Sequence, residues 1–221
     1  MNRMKPYDVP HKGLRNALSQ LSLLAGKTDY SKLEEVAQLR LLGDAVFKIL
    51  TIHASDENEV TLAEIEARCP GCSKHDIDDH ERLHHSQNGV EALLAEIYAG
   101  SVQGLDMTVR GEELYLAFSE FHSLYLEHTA EEERVTQPLL WKHFSDEELA
   151  SHRGKIMSRI PPETLLIWLR FIIPAQSHVE RTSLMAGLRQ MAPPAFFDQS
   201  VQVIRQELAQ GEFDRLVTAI G

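Results

Sequence analysis

The feature that most constrains this chain is a pair of His-x-x-x-Glu motifs within apolar helical stripes, His53/Glu57 and His128/Glu132, which lie 75 residues apart. Residues four apart in a helix lie roughly 40° apart around its axis, so each motif directs an imidazole and a carboxylate to one place. Both motifs are in phase with stripes of apolar residues, which predicts that they face a core. The stripes are Leu39, Leu42, Val46, Ile49 and Val60 around the first motif, and Leu114, Phe118, Phe121, Tyr125, Val135 and Leu139 around the second.

The repeat includes a second pair of segments. With a shift of 69 residues, His11 aligns with His80 and Leu14 with Leu83. Chance explains matched aliphatic residues better than it explains matched His and Glu. The pattern predicts two helix pairs related by a pseudo-twofold axis, which is a natural way to build a site for two like metal ions.

An inward carboxylate needs a compensating charge. Burying an unpaired carboxylate costs roughly several kcal/mol. The inward faces carry no Lys or Arg near these positions. A metal cation supplies that charge, and imidazole with carboxylate suits iron, manganese or zinc. The alternative is that these residues lie on an exposed face, or that they are hydrogen-bonded histidines of the core. It would explain a single such His well. It explains less well two His/Glu pairs and two further histidines that all share the inward phase.

Helical periodicity runs through nearly the whole chain, with no lasting alternation of period two. We therefore predict an all-α protein: an up-down four-helix metal-binding bundle over residues 1–158 and a helical extension over 159–221 packed on it. Prolines and glycines divide the pattern, and Ser145 to Glu148 resembles a capping box that opens a short helix. The other predicted helices span about 11–26, 31–68, 76–100, 112–144, 163–173 and 179–191, with one last helix from about 196.

Composition excludes some functions. A formal charge of -11 without a basic patch argues against a nucleic-acid partner. The chain begins without an apolar leader and has no long uncharged apolar stretch, so we expect a cytoplasmic protein with no membrane partner. Cys69 and Cys72 are too few for a disulfide framework, and their Cys-Pro-Gly-Cys segment is either an ordinary interhelical turn, our default, or a redox site. We expect His152 on the surface.

Four segments together resemble the hemerythrin family, including its bacterial His-His-Glu cation-binding branch, over about residues 8–150. They are PHKGLR, His53-x-x-x-Glu57, DDHERL and EHTAEEERVTQPLLW. The resemblance implies two iron ions, oxo- or hydroxo-bridged when oxidised, with the two Glu carboxylates bridging them. Oxygen carriers of the family have two histidines at i and i+4 in the third helix, and His84 fits that spacing, although it lies toward the polar side and aligns with Arg15. The implied ligands are His11, His53, Glu57, His80, His84, His128 and Glu132.

Two functions follow from the resemblance. The first is binding of a diatomic ligand, dioxygen or nitric oxide, in oxygen, redox or nitric oxide sensing or storage. Apart from the resemblance, the C-terminal helices are alternatively a surface for a homodimer. The second is a di-iron enzyme or iron-homeostasis protein that oxidises ferrous iron, reduces peroxide or donates iron for cluster repair. His84 discriminates between them, because without it both ions keep open positions. A structural site that binds zinc or no metal is a third alternative.

Overall fold

The computed structural model describes residues 3–221, which form nine helices and, within that range, no strand. The all-helical prediction is therefore confirmed. None of these helices combines the length and the apolar character needed to cross a bilayer. The helices are α1 (Asp8–Lys27), α2 (33–68), α3 (Lys74–Val102), α4 (108–143), α5 (Asp146–Arg159), α6 (Pro162–Ala175), α7 (His178–Met191), α8 (Pro194–Glu207) and α9 (Gln210–Ile220).

Two of the helices contain a π-helical turn. It spans Glu57–Leu62 in α2 and Glu132–Thr136 in α4, so each turn begins at the Glu of a repeated motif. Such turns shift the phase of the helix that follows, and they occur frequently at functional sites. The prediction that Val135 continues the inward stripe is wrong for this reason. Val135 is 56% exposed, whereas Thr136 next to it is buried.

The first four helices contact one another in a cycle: α1 packs on α2 and α4, and α3 packs on α2 and α4. They enclose the main hydrophobic core, which includes Phe47, Phe118 and Phe121. Helix α6 packs on α1 and α2 and adds Trp168 to the same core. The chain beyond residue 159 therefore contributes directly to the core of the first four helices.

The extension has a second core of its own. The single last helix predicted from about residue 196 is in fact two helices, because the backbone turns extended at Leu208 (φ -103°, ψ 145°). No proline or glycine at 207–209 signals this break. The bend is explained by packing, since it buries Leu208 and returns α9 to α7. The second core consists of Leu169, Ile173, Met185, Ile204, Leu208, Phe213 and Leu216.

Helix α4 begins earlier than the sequence predicts, at Thr108 rather than near residue 112. The Asp106 side chain accepts hydrogen bonds from the amide and the hydroxyl of Thr108, at 2.9 and 2.6 Å, which hold the first residue of the helix. Gly111 directly precedes the predicted start, but it lies inside the helix. A Cβ atom there would come within 2.3 Å of the Tyr30 ring, so the glycine permits close packing.

Candidate metal centre

Six of the seven predicted ligands come together in the interior. They form two groups that share the carboxylates of Glu57 and Glu132, and the candidate ligand atoms of each group lie within 4.8 Å of one another. All six side chains are buried. The first group is His11, His53, Glu57 and Glu132, and the second is Glu57, His80, His128 and Glu132.

Within each motif the imidazole faces the carboxylate one turn later. His53 Nε2 lies 3.3 Å from Glu57 Oε1, and His128 Nε2 lies 3.3 Å from Glu132 Oε2. The π turn starts at each Glu, so the carboxylates stay inward while the following residues change phase. The two motifs thus present the same geometry from α2 and α4.

Contacts between the two repeats complete the arrangement. His80 Nε2 lies 3.4 Å from Glu57 Oε2, and His11 Nε2 lies 3.3 Å from Glu132 Oε2. Glu57 therefore directs one oxygen at a histidine of each group. Each carboxylate contacts one histidine from its own repeat and one from the other, which is the placement expected of a carboxylate between two ions.

The atoms that face the middle of this cluster have no hydrogen-bond partner among residues 3–221. They are both carboxylate oxygens of Glu57 and of Glu132, and Nε2 of His11 and His53. Leaving such groups buried and unsatisfied costs about 1–3 kcal/mol each, and more for charged groups. Nε2 of His80 lies 3.1 Å from Nε2 of His128, so two more ring nitrogens point at a common space. These nitrogen and oxygen atoms are suited to coordinate a cation. Packing alone does not explain why they are buried together.

The outward nitrogens of two of the histidines are held by the residues that follow the shared glutamates. His11 Nδ1 donates to Glu133 Oε1 at 3.0 Å, and His80 Nδ1 donates to Asn58 Oδ1 at 2.7 Å. Such partners fix the tautomer that leaves Nε2 free for a metal. Asn58 and Glu133 are equivalent under the 75-residue shift. Sequence reasoning missed both, although their position directly after each Glu was the available signal.

These two partners differ in charge, and the pKa values of the histidines differ with them. Burial opposes protonation of His11, but the nearby carboxylates of Glu132 and Glu133 outweigh burial and raise its pKa to about 9. Burial lowers the pKa of His80, whose Nδ1 partner is the neutral Asn58. Arg15 holds Glu133 in place by donating to Oε1 at 2.7 Å.

Burial also raises the pKa of both shared carboxyls. The pKa of Glu57 rises to about 8, and that of Glu132 rises by burial and by the charge of Glu57. At neutral pH, Glu57 and His11 therefore carry protons in the positions where cations would bind. Metal uptake by this cluster must displace those protons.

The structure does not bring His84 to the cluster. Its side chain is exposed, and its Nε2 accepts a hydrogen bond from Asn88 Nδ2 at 3.1 Å. The inward positions of α3 after His80 are Leu83 and Gln87, and residue 84 lies beside them toward solvent. The repeat points the same way, since His84 is equivalent to Arg15, which contacts Glu133 rather than the cluster.

Other sequence expectations change near the centre. His152 was expected on the surface but is buried, because α5 packs on the π turn of α2 and Glu64 accepts its hydrogen bond. Cys69 and Cys72 are joined by a disulfide in the turn between α2 and α3. Tyr7, which the sequence did not single out, stacks on His11 with ring centroids 4.9 Å apart.

The structure thus shows four histidines and two glutamates buried together and positioned to hold metal. This conclusion rests on the residues themselves. Comparison of the chain with protein-family models, with curated proteins and with solved structures found no match in any of the three.

Proposed function

We propose that α1–α4 form a hemerythrin-like four-helix bundle whose cluster holds two iron ions that bind dioxygen or nitric oxide. The observation that carries the proposal is the pair of ligand groups that share Glu57 and Glu132. Two groups with two common carboxylates suit two adjacent ions better than one, because no single ion reaches all six residues equally. Iron is the choice that the family resemblance adds to the ligand chemistry.

Each group offers two imidazoles and two shared carboxylates, which leaves coordination positions on both ions for an external ligand. Iron bound there would supply the electrons for reversible uptake of a diatomic molecule. The chain's own part is to orient the imidazoles through Asn58 and Glu133 and to limit water, since the ligand side chains are buried. Tyr7, stacked on His11, places a buried hydroxyl in the same region.

A second candidate is the di-iron enzyme or iron-homeostasis protein. The exposed position of His84 favours it, because six ligands leave both ions open and a more reactive centre results. The chemistry of this candidate also rests on the ions. The candidate substrates are ferrous iron and peroxide.

Two variants one helical turn apart test the ligand set. In protein purified without a chelating column, we expect His80→Ala to lose bound iron and its visible absorption. His84→Ala serves as the matched control and should keep both. An unchanged iron content in His80→Ala, or iron loss in His84→Ala, contradicts the six-ligand centre.

Gas exchange separates the two functions. The anaerobically reduced protein is exposed to dioxygen or nitric oxide and then returned to inert gas while its absorption is followed. Recovery of the reduced spectrum supports binding. Irreversible oxidation with consumption of added peroxide supports the enzyme, and the absence of any spectral change together with less than about one iron per chain rejects both.

A further inference from the structure

A third group of donor atoms lies outside the buried centre, on the side of its second ligand group. It consists of His75 and Asp79 of α3 and Glu131 of α4, and its candidate ligand atoms lie within 4.8 Å of one another. His75 and Asp79 are four residues apart, so they lie on one face of α3. The side chains of His75 and Glu131 are 57% and 35% exposed, whereas that of Asp79 is 9% exposed. The group is therefore open to a cation from solvent.

The spacing of the three donors fits the coordination of a single ion. His75 Nε2 lies 3.1 Å from Glu131 Oε1 and 3.8 Å from Asp79 Oδ2. Donors bound to one tetrahedral zinc ion at about 2.1 Å lie about 3.4 Å apart. The observed distances fall on either side of that value, so small side-chain rotations place the donors around one ion.

Asp79 distinguishes this group from an ordinary surface ion pair. Its Oδ1 accepts a hydrogen bond from Arg82 Nη2 at 2.6 Å. Its Oδ2 faces His75 and also lies 3.7 Å from Nδ1 of His128, a member of the second ligand group. Arg82 thus balances one of the two carboxylates. The other is balanced by a proton on His75, whose pKa is raised by the hydrogen bond to Glu131, and a bound cation takes the place of that proton.

The equivalent positions in the other half of the repeat carry different chemistry. Under the 69-residue shift the two positions of α3 correspond to Pro6 and Pro10, which offer no donor side chain. Under the 75-residue shift Glu131 corresponds to Asp56, which pairs with Arg159 at 2.9 Å. The outer donors are therefore not a by-product of the repeat that builds the buried centre.

The donor types restrict the cation. One imidazole with two carboxylates suits a first-row transition ion such as zinc, manganese or ferrous iron, whereas calcium and magnesium prefer shells of oxygen alone. We propose that His75, Asp79 and Glu131 bind one divalent transition-metal ion at the surface, with water completing its coordination. None of the three belongs to either buried group, so this site is additional to the buried centre.

The test counts zinc ions per chain by equilibrium dialysis of the full chain against a series of free zinc concentrations, at mildly alkaline pH so that the His75 proton competes less. We expect His75→Ala and Glu131→Gln each to bind one zinc ion fewer than the native protein. His85→Ala and Glu127→Gln are the matched controls, since both residues are exposed on the same two helices and lie outside the group. A native count in His75→Ala, or the same loss in His85→Ala, overturns the proposal.

The count that remains in the variants reports on the buried centre separately. If the native protein binds a single zinc ion and His75→Ala binds none, the surface site is supported and the two-ion centre is contradicted. If both bind two, the centre is supported and the surface site is contradicted. Excess magnesium should leave the counts unchanged, and loss of the surface ion to magnesium would contradict an imidazole ligand. Circular dichroism shows that each variant is folded.

Discussion

The two repeats of the metal centre share a motif but not an environment. His53 and Glu57 of α2 line an apolar cavity of about 240 Å³, to which α5, α6 and α7 also contribute. His128 and Glu132 of α4 do not line it, and Glu132 is completely buried. Distances within the motifs are the same, 3.3 Å in each. The difference arises from the covering elements, since α5 packs on the π turn of α2 and leaves a chamber there. The repeat therefore sets the candidate ligands, while the covering helices set how each half of the cluster is reached from the surface.

The repeats also differ one residue after each shared glutamate. Asn58 holds His80 from the first repeat, and Glu133 with Arg15 holds His11 from the second. A carboxylate partner makes an imidazole more basic and a better ligand than an amide partner does. Two ions bound here would accordingly be inequivalent although their direct ligands match.

The largest expected effect is a loss of metal affinity when a shared carboxylate is replaced. Glu57→Gln and Glu132→Gln should each lower the affinity for both ions by about a hundredfold or more, beyond the range of outer-partner changes, because each carboxylate serves both groups. Metal titration followed by absorption or calorimetry measures this. Glu127→Gln, at an exposed position of the same helix as Glu132, is the control. Retention of one ion at full affinity in either variant would show that the carboxylates are not shared.

A smaller effect is expected from pH. In the metal-free protein the pKa of Glu57 is about 8 in the folded state, against an ordinary value of 4.5, and that of His11 is about 9 against 6.5. Both groups bind protons more tightly when folded, so their stabilisation is complete below the ordinary pKa and is lost as pH rises through the folded one. Burial lowers the pKa values of His53, His80 and His128, so these groups oppose the trend below the ordinary His value of 6.5. The melting temperature of the metal-free protein should therefore fall between about pH 7 and 9.

Bound metal should oppose this fall in melting temperature, because it takes the place of the protons on Glu57 and His11. The rise in melting temperature on adding metal should be greater at pH 8 than at pH 6. Glu57→Gln removes one of the titrating groups and should flatten the metal-free profile, while Glu127→Gln should follow the native one. A metal-free melting temperature that increases steadily from about pH 7 to 9 would contradict the assigned protonation.

The smallest effect concerns the outer partners. Glu133→Gln should weaken one of the two metal-binding steps about ten- to a hundredfold, and Asn58→Asp should strengthen the other. The double variant exchanges the charges of the two outer partners. The tighter metal-binding step should then occur at the group that contains His80. Stepwise metal titration resolves the two affinities. Asn88→Asp, which adds a charge beside the exposed His84, is the control, and an equal effect from it would reduce the result to general electrostatics.

Near the site, the sequence was reliable where the signal was local. Helical period and the phase of His53 and His128 depend on residues a few positions apart, so the inward direction of the motifs could be predicted. The spacing of His84 was also local, but the spacing alone did not decide its direction, and α3 turns it to solvent. The π turns escaped prediction because an extra residue in a helix is stabilised by what the helix packs against, as the inward Thr136 and outward Val135 show.

The sequence by itself thus determined an all-helical chain with two phased His-x-x-x-Glu motifs and two aligned histidines, because these follow from periodicity along the chain. Only the tertiary structure decided that Glu57 faces both groups, that Asn58 and Glu133 hold opposite histidines, and that a cavity lies beside His53 and Glu57. Each of these depends on which helix covers a face and how closely. Such contacts join segments that are distant in the chain, as His11 and Glu133 are at a separation of 122 residues, and a short-range pattern carries no record of them.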